Sequence, residues 1–308
     1  MAKIAYIAAG SFKPSSLLTI ERADTICQDY AGQGYSLTLR QLYYRFVAAG
    51  HLPNTERSYK NLGNLINQAR LAGLIDWNHI EDRGRNLYKL PDWNEPGDII
   101  SSAAYQYRED LWGDQDRMVE VWVEKQALEG VVSQAANAWR APYFSCKGYS
   151  SASSVWEAAQ RHIRYQKNGK APVVLYLGDH DPSGIDMPRD LADRLRLFCV
   201  HHGYPAPEIR RIALNMDQVL EHDPPPNPAK VTDSRYDAYL EEHGEESWEL
   251  DALEPAVLDN LIQATIQEYL DLELWHAAEA EETRQKDLLR RVADGWSTIE
   301  DLDRDGSL

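Results

Sequence analysis

Apolar residues recur at helical spacing over residues 17–33 and again over 38–50, and the break between the two stretches falls at Gly32-Gln33-Gly34-Tyr35. Ser36 or Thr38 can cap the second helix. A third helical stretch, residues 55–73, sets Leu62, Leu65, Ile66 and Leu71 on an apolar side and Arg57, Lys60 and Arg70 on a partly basic one. Residues 75–90 are polar and punctuated by Asp82-Arg83-Gly84-Arg85, the pattern of a small hairpin. Three helices and a hairpin predict a winged helix-turn-helix domain whose third helix and hairpin meet DNA through Arg57, Lys60, Arg70 and Arg83. Three helices packed together without DNA fit the same pattern equally well.

Residues 91–113 read as a connector rich in Pro, Gly, Asp and Ser, which places a domain boundary near residue 100 and divides the chain into 1–100 and 101–308. Beyond it the periodicity alternates. Strands are predicted at 118–124, 142–146, 172–178 and 209–214, and helices at 126–138, 151–167 and 184–200. This is an α/β pattern: a parallel sheet covered by helices, with ligands expected beyond the carboxyl ends of the strands. Pro224-Pro225-Pro226-Asn227-Pro228 forces an irregular excursion, and the last 60 residues form a helical segment anchored by Trp275, Leu288, Leu289 and Trp296.

The predicted strand at 172–178 runs into Gly178-Asp179-His180-Asp181-Pro182-Ser183-Gly184. Side chains two apart on an extended segment project to one side, so Asp179 and Asp181 can present their carboxylates together while His180 faces the other way. The strand at 118–124 ends in a third carboxylate, Glu124. Convergent carboxylates at strand ends suit Mg²⁺, which takes oxygen ligands and keeps positions for water and phosphate. Asp, Pro, Ser and Gly are also turn formers, so the motif taken alone fits a plain turn as well as a metal site.

Composition narrows the function classes. With 43% hydrophobic residues in 308, the chain can bury a large core, and no apolar run approaches the roughly 20 residues of a membrane span. The N-terminus lacks the pattern of a signal peptide, and Cys27, Cys146 and Cys199 are isolated, which argues for a soluble, cytoplasmic protein without disulfides or zinc. The net charge of −17 is concentrated at the C-terminus: residues 1–95 carry 11 Lys and Arg against 9 Asp and Glu, whereas residues 231–308 carry 6 against 22. DNA binding needs a local basic surface rather than a basic total, so the N-terminal third stays a candidate.

Taken in order, several motifs resemble the A subunit of type IIB DNA topoisomerases (topoisomerase VI) and the related meiotic double-strand-break transesterase. Leu39-Arg40-Gln41-Leu42-Tyr43-Tyr44 is similar to the family's Leu-Arg-Asp-Leu-Tyr-Tyr. Val123-Glu124-Lys125, Cys146-Lys147-Gly148-Tyr149 and Gly178 to Asp186 resemble its TOPRIM elements, and Glu249-Leu250-Asp251-Ala252-Leu253 a later segment. The likeness covers residues 36–262. Ser150 stands where the family usually has Pro, and the chain is shorter than full-length A subunits.

The resemblance implies a winged-helix domain followed by a TOPRIM domain and Mg²⁺-dependent DNA cleavage, with Mn²⁺ as an alternative ion. Tyr44 would be the nucleophile and Tyr43 the packing residue, with the reverse assignment open. Glu124, Asp179 and Asp181 would hold metal, and Glu124 would ligate it or shuttle a proton. A phenol with a pKa of about 10 needs help to ionise, and Arg40, one helical turn before Tyr44, can stabilise a phenolate or grip phosphate. The resemblance also implies a homodimer in which one subunit's tyrosine reaches the other's metal site, a GHKL-type ATPase B subunit as a possible partner, and a nucleoid-associated location. Two other functions fit the residues: a TOPRIM nuclease in which water replaces tyrosine, and a non-catalytic DNA-binding protein.

Overall fold

A computed structural model describes residues 3–8, 12–81, 90 and 92–305. The chain forms two compact units, the first made of residues 1–85 and 119–267 and the second of 86–118 and 268–308.

The first unit begins with three helices, α1 (Pro14–Gly32), α2 (Leu39–Ala48) and α3 (Glu56–Leu71). Thr38 is the cap of α2. Its hydroxyl accepts from the Gln41 N–H at 3.3 Å, while the Gln41 side chain accepts from the Thr38 N–H at 2.8 Å, a reciprocal capping box. Thr55 caps α3 by accepting from the Ser58 N–H at 3.2 Å. The helices close on Ile20, Cys27, Leu42, Phe46, Leu62 and Ile66, with Leu37 and Ile80 joined by a short parallel bridge beside them. The expected hairpin and its Arg83 fall on residues 82–89, outside the described residues.

Helix α4 (Pro96–Gln106) forms where a connector was expected. Its Pro96 sits in the first turn, where the missing N–H costs nothing, and Asp98 favours the same turn, so residues that look like loop formers start a helix instead.

The rest of the first unit alternates as predicted: β1 (Arg117–Val123), α5 (Glu129–Ala138), β2 (Tyr143–Ser145), α6 (Ala152–Lys167), β3 (Ala171–Leu177), α7 (Pro182–His201) and β4 (Glu208–Ala213). After these come α8 (Met216–His222), β5 (Asn227–Pro228), α9 (Tyr236–His243), β6 (Glu246–Ser247) and α10 (Pro255–Gln267). Strands β1 to β4 form a parallel sheet in the order β2-β1-β3-β4, with Val121 opposite Tyr143 and Val174 opposite Ile209. Trp122, Val174 and Tyr176 pack on Val155, Ala159 and Ile163 of α6 and on Leu191, Leu195 and Cys199 of α7. Strand alternation turns Val121, Val123, Val173, Leu175 and Leu177, all fully buried, to the other face, and α5 and α10 pack together. Burial on both faces explains why these strands read as continuous apolar runs. The antiparallel pair β5–β6 receives the proline-rich excursion.

In the second unit α4 packs along α11 (Leu272–Asp294), followed by α12 (Trp296–Arg304). Trp112 meets Trp275 edge-on at 6.0 Å between ring centres, and Gln115 and Asp271 exchange two hydrogen bonds at 2.9 and 2.8 Å. Among the described residues no helix is long and apolar enough to cross a membrane.

Gly184 opens α7 under the carbonyl of Asp179, and a Cβ there would lie 2.2 Å from that oxygen. Gly184→Ala is therefore expected to destabilise the first unit by about 1–3 kcal/mol. Gly32→Ala, at the end of α1 with nothing within 4 Å, should stay within about 0.5 kcal/mol of wild type. Urea denaturation followed by circular dichroism measures both.

Candidate active site

β1 and β3 are the central strands, and the chain leaves them in opposite directions, β1 toward β2 and β3 toward β4. The crevice beyond their carboxyl ends is thus the switch point at which α/β sheets bind ligands. Glu124 follows β1 directly and Asp179 follows β3 after Gly178. The Asp179 N–H donates to Glu124 Oε2 at 3.0 Å, so the carboxylate of one strand end lies across the turn of the other. Gly178 permits this approach, because a Cβ there would sit 2.8 Å from Glu124 Oε2. Arg211, from β4, locks the same turn by donating to the carbonyls of Gly178, Asp179, Gly184 and Leu214 at 2.7–3.1 Å.

Asp179 and Asp181 have different partners. Asp181 caps α7, its Oδ1 accepting from the Gly184 N–H at 2.6 Å and from the Ser183 hydroxyl at 2.8 Å, while its Oδ2 lies 3.5 Å from Lys230 Nζ. Asp179 is buried and faces a second acidic segment. His180 pairs with Trp248 in an antiparallel bridge, and this lays residues 249–251 beside the turn, where the Leu250 N–H donates to Asp179 Oδ1 at 2.8 Å. The His180 ring points away, with Nδ1 2.8 Å from the Tyr239 hydroxyl, among His243 and Trp248.

Lys125 joins these pieces. Its Nζ lies 2.9 Å from Asp179 Oδ2, 2.9 Å from Glu249 Oε2 and 3.0 Å from Asp251 Oδ1. Arg40, from α2, reaches the same carboxylates, at 2.6 Å from Glu249 Oε2 and 3.1 Å from Asp251 Oδ2. Asp251 is only 1% exposed. Arg45, the next basic residue of α2, bonds to Glu254 and to the Ala252 carbonyl. The three-helix part and the sheet are thereby tied through residues 249–254. The sequence marks this segment weakly. Its usable signal is the Glu249–Asp251 spacing, the same i, i+2 pattern as Asp179–Asp181.

The charges respond to this layout. Burial first and Asp179 next push the Glu124 carboxyl up to about 7, with Asp181 adding to the shift. Burial pushes Asp179 up to about 6 against the opposing pull of Lys125. Glu249 goes the other way: burial would raise it, but Lys125 and then Arg40 bring it down to about 2. Burial alone would lower Lys125, yet Asp251, Asp179 and Glu249 together raise it.

The two tyrosines of α2 separate clearly. The Tyr43 hydroxyl accepts from the Thr55 N–H at 2.8 Å and lies 3.1 Å from the carbonyl oxygens of Pro53 and Thr55, so it holds the turn between α2 and α3. Both tyrosines line a cavity of about 290 Å³ with Arg40, Tyr59, Asn227 and Glu249, and Tyr44 is the one beside Arg40. The Arg40 guanidinium lies 5.8 Å from its ring centre. Burial, then Glu249 and Asp251, push the Tyr44 phenol above its ordinary value, and Arg40 opposes them. Arg40 also lines a second cavity, of about 310 Å³, with Glu124, Lys125, Lys147 and Asp251.

Among the basic residues of α3, Arg57 and Lys60 are exposed, and Lys60 pairs with Glu56 at 2.7 Å. Arg70 turns inward, donating to the carbonyls of Trp77 and Ile80 at 2.8 and 3.1 Å and lying 4.3 Å over the Trp77 ring. Among the described residues no group of three or more His, Cys, Asp or Glu could hold a metal ion. Glu124, which lines the open cavity, and the adjoining Asp179 nonetheless fit Mg²⁺ in their donor chemistry, since that ion is commonly held by one or two carboxylates together with water and substrate phosphate. No family model, curated protein or solved structure matches the chain.

Two predictions follow from the charges. Glu124 and Asp179 bind protons more tightly folded than unfolded, so their contribution to stability is full below about pH 4 and is lost as pH rises through about 6 to 7. Glu124→Gln removes one of them, and in EDTA its stability relative to wild type should rise by roughly 1–3 kcal/mol between pH 4.5 and 8. Thermal denaturation across that range checks the sign. The exposed pair on α3 sets the second: Arg57→Ala with Lys60→Ala should make the slope of log K against log salt for duplex DNA shallower by about 1.8, as read by fluorescence anisotropy.

Proposed function

We propose that the chain is a Mg²⁺-dependent DNA strand-cleaving transesterase, similar in working parts to the topoisomerase VI A subunit, with Tyr44 as nucleophile. The observation that carries this reading is the sharing of Arg40 between the cavity lined by Tyr44 and the cavity lined by Glu124, within one compact unit. A phenol, a guanidinium and buried strand-end carboxylates are the groups that phosphodiester transesterification requires. We read the three helices as a winged helix and the four-stranded sheet as a TOPRIM domain. We place the protein in the cytoplasm at the nucleoid, as a homodimer on double-stranded DNA, with a GHKL-type ATPase as a possible partner.

In this mechanism Tyr44 Oη attacks a backbone phosphorus, the bond to one ester oxygen breaks, and the strand ends as a phosphotyrosyl link and a free hydroxyl. Arg40 turns from Glu249 to the phosphate. Glu249 then loses a cation that depresses its pKa and becomes a better acceptor for the phenol proton. Where Glu124 does not ligate metal, its carboxyl, pushed up to about 7 by burial and Asp179, can deliver a proton to the leaving oxygen. Bound at Glu124 and Asp179, with Asp181 nearby, Mg²⁺ would offset charge on the phosphate. Tyr43, committed to the α2–α3 turn, plays the packing role. These roles join phenol and carboxylates within one chain through Arg40, whereas the resemblance implies that the phenol of one subunit serves the carboxylates of the other.

A hydrolytic TOPRIM nuclease is the second reading, favoured by one observation: burial, Glu249 and Asp251 all disfavour ionisation of Tyr44 in the resting chain. Tyr44→Phe separates the two. For the transesterase, Tyr44→Phe should lose at least about a thousandfold in cleavage rate while folding and DNA binding survive, and Tyr43→Phe should be milder in its effect on cleavage. Denaturing a wild-type reaction should trap protein on DNA through Tyr44. Cleavage by Tyr44→Phe at the wild-type rate without an adduct establishes the nuclease. Asp179→Asn and Glu124→Gln should each cost about 10²-fold or more in either case.

A further inference from the structure

The cavity at the carboxyl ends of β1 and β3 is lined by three cations, Arg40, Lys125 and Lys147. Two are committed. Lys125 is held by Asp179, Glu249 and Asp251, and Arg40 by Glu249 and Asp251. Lys147 is exposed and, among the described residues, forms no ion pair, although Glu124 and Asp251 line the same cavity.

Its backbone is equally unusual. Lys147 has φ of 55° and Gly148 has φ of 84°, two consecutive residues in the left-handed region that disfavours any side chain with a Cβ. The turn is pinned over the end of β1, with the Cys146 N–H donating to the Val123 carbonyl at 2.8 Å and the Gly148 N–H to the Glu124 carbonyl at 3.1 Å. Glycine suits the backbone at 147 better than lysine. Strain of this kind persists where its surroundings fix it, and it gathers at functional sites.

We propose that Lys147 is a phosphate-binding residue, whose ammonium contacts a backbone phosphodiester of DNA at the Glu124 cavity. The inference rests on the DNA-cleaving reading and deepens it by assigning the substrate charge to a residue outside the tyrosine and carboxylate sets. A cation already neutralised by carboxylates must break those pairs before it meets phosphate, whereas Lys147 does not.

The test uses the full chain and a 30-base-pair duplex without divalent ions, so that binding is read apart from cleavage. Lys147→Gln should weaken binding roughly 3–10-fold and make the slope of log K against log salt shallower by about 0.9, the release accompanying one phosphate contact. Lys147→Arg should restore both values. Lys147→Gly should lose the same binding yet raise the melting temperature by about 1–3 °C, because it relieves the left-handed backbone. Wild-type affinity and slope in Lys147→Gln overturn the proposal. So does a lower melting temperature in Lys147→Gly, which would show that the side chain holds the turn. If these binding and melting results hold but wild type cleaves no DNA in Mg²⁺, the cleavage reading fails while the phosphate contact stands.

Discussion

The ammonium of Lys125 is the interaction on which the site depends. Asp179, Glu249 and Asp251 arrive from a sheet end and from the segment before α10, and each has left most of its water behind. Carboxylates gathered this closely repel one another unless a cation lies among them. Lys125 provides it, and removing one member of such a network typically costs about 3–5 kcal/mol because the remaining charges stay buried without compensation. The compensation is uneven. Glu249 has both Lys125 and Arg40 and titrates low, whereas Glu124 Oε2 takes a backbone N–H and its carboxyl titrates near neutrality. The same cation thus leaves Glu249 low while Asp179, Asp251 and Glu124, whose burial it does not fully offset, stay raised.

The basic residues divide in a similar way. Arg211 is consumed by four backbone carbonyls, Arg70 by two, and Arg45 by Glu254 and the Ala252 carbonyl. These guanidinium groups set loop geometry and have few donors left for a phosphate. What a chain of net charge −17 can offer to a polyanion is therefore decided by the cations its fold leaves uncommitted, rather than by its total.

Much of the fold was legible along the chain, because β1, β3 and the helices between them carry periodicities that local sequence imposes. The capping box at Thr38 and Gln41 and the strand-end positions of Glu124 and Asp179 belong to the same class of local signal. Helix α4 was hidden because Pro96, Gly97 and Asp98 read as loop formers when their place in a first turn is unknown. Of the network around Lys125 only the Glu249–Asp251 spacing is a local signal, since its contacts join residues far apart in sequence. Tyr43 and Tyr44 are adjacent and equally buried, and only tertiary contacts, Tyr43 with Thr55 and Tyr44 with Arg40, distinguish them. Arg70 and Lys60 share one helix, yet a bend of the chain at Trp77 brings carbonyls within reach of the first and not the second.

Arg40 forms part of the wall of both cavities while it is bonded to Glu249 and Asp251. A guanidinium has a fixed set of donors, so an anion bound in one cavity draws on the same group that the other cavity and the two carboxylates use. Anions that each engage Arg40 from the two cavities would therefore be linked, and linkage is reciprocal. A ligand that draws Arg40 into one pocket would thus change the affinity of the other by the factor the other imposes on it.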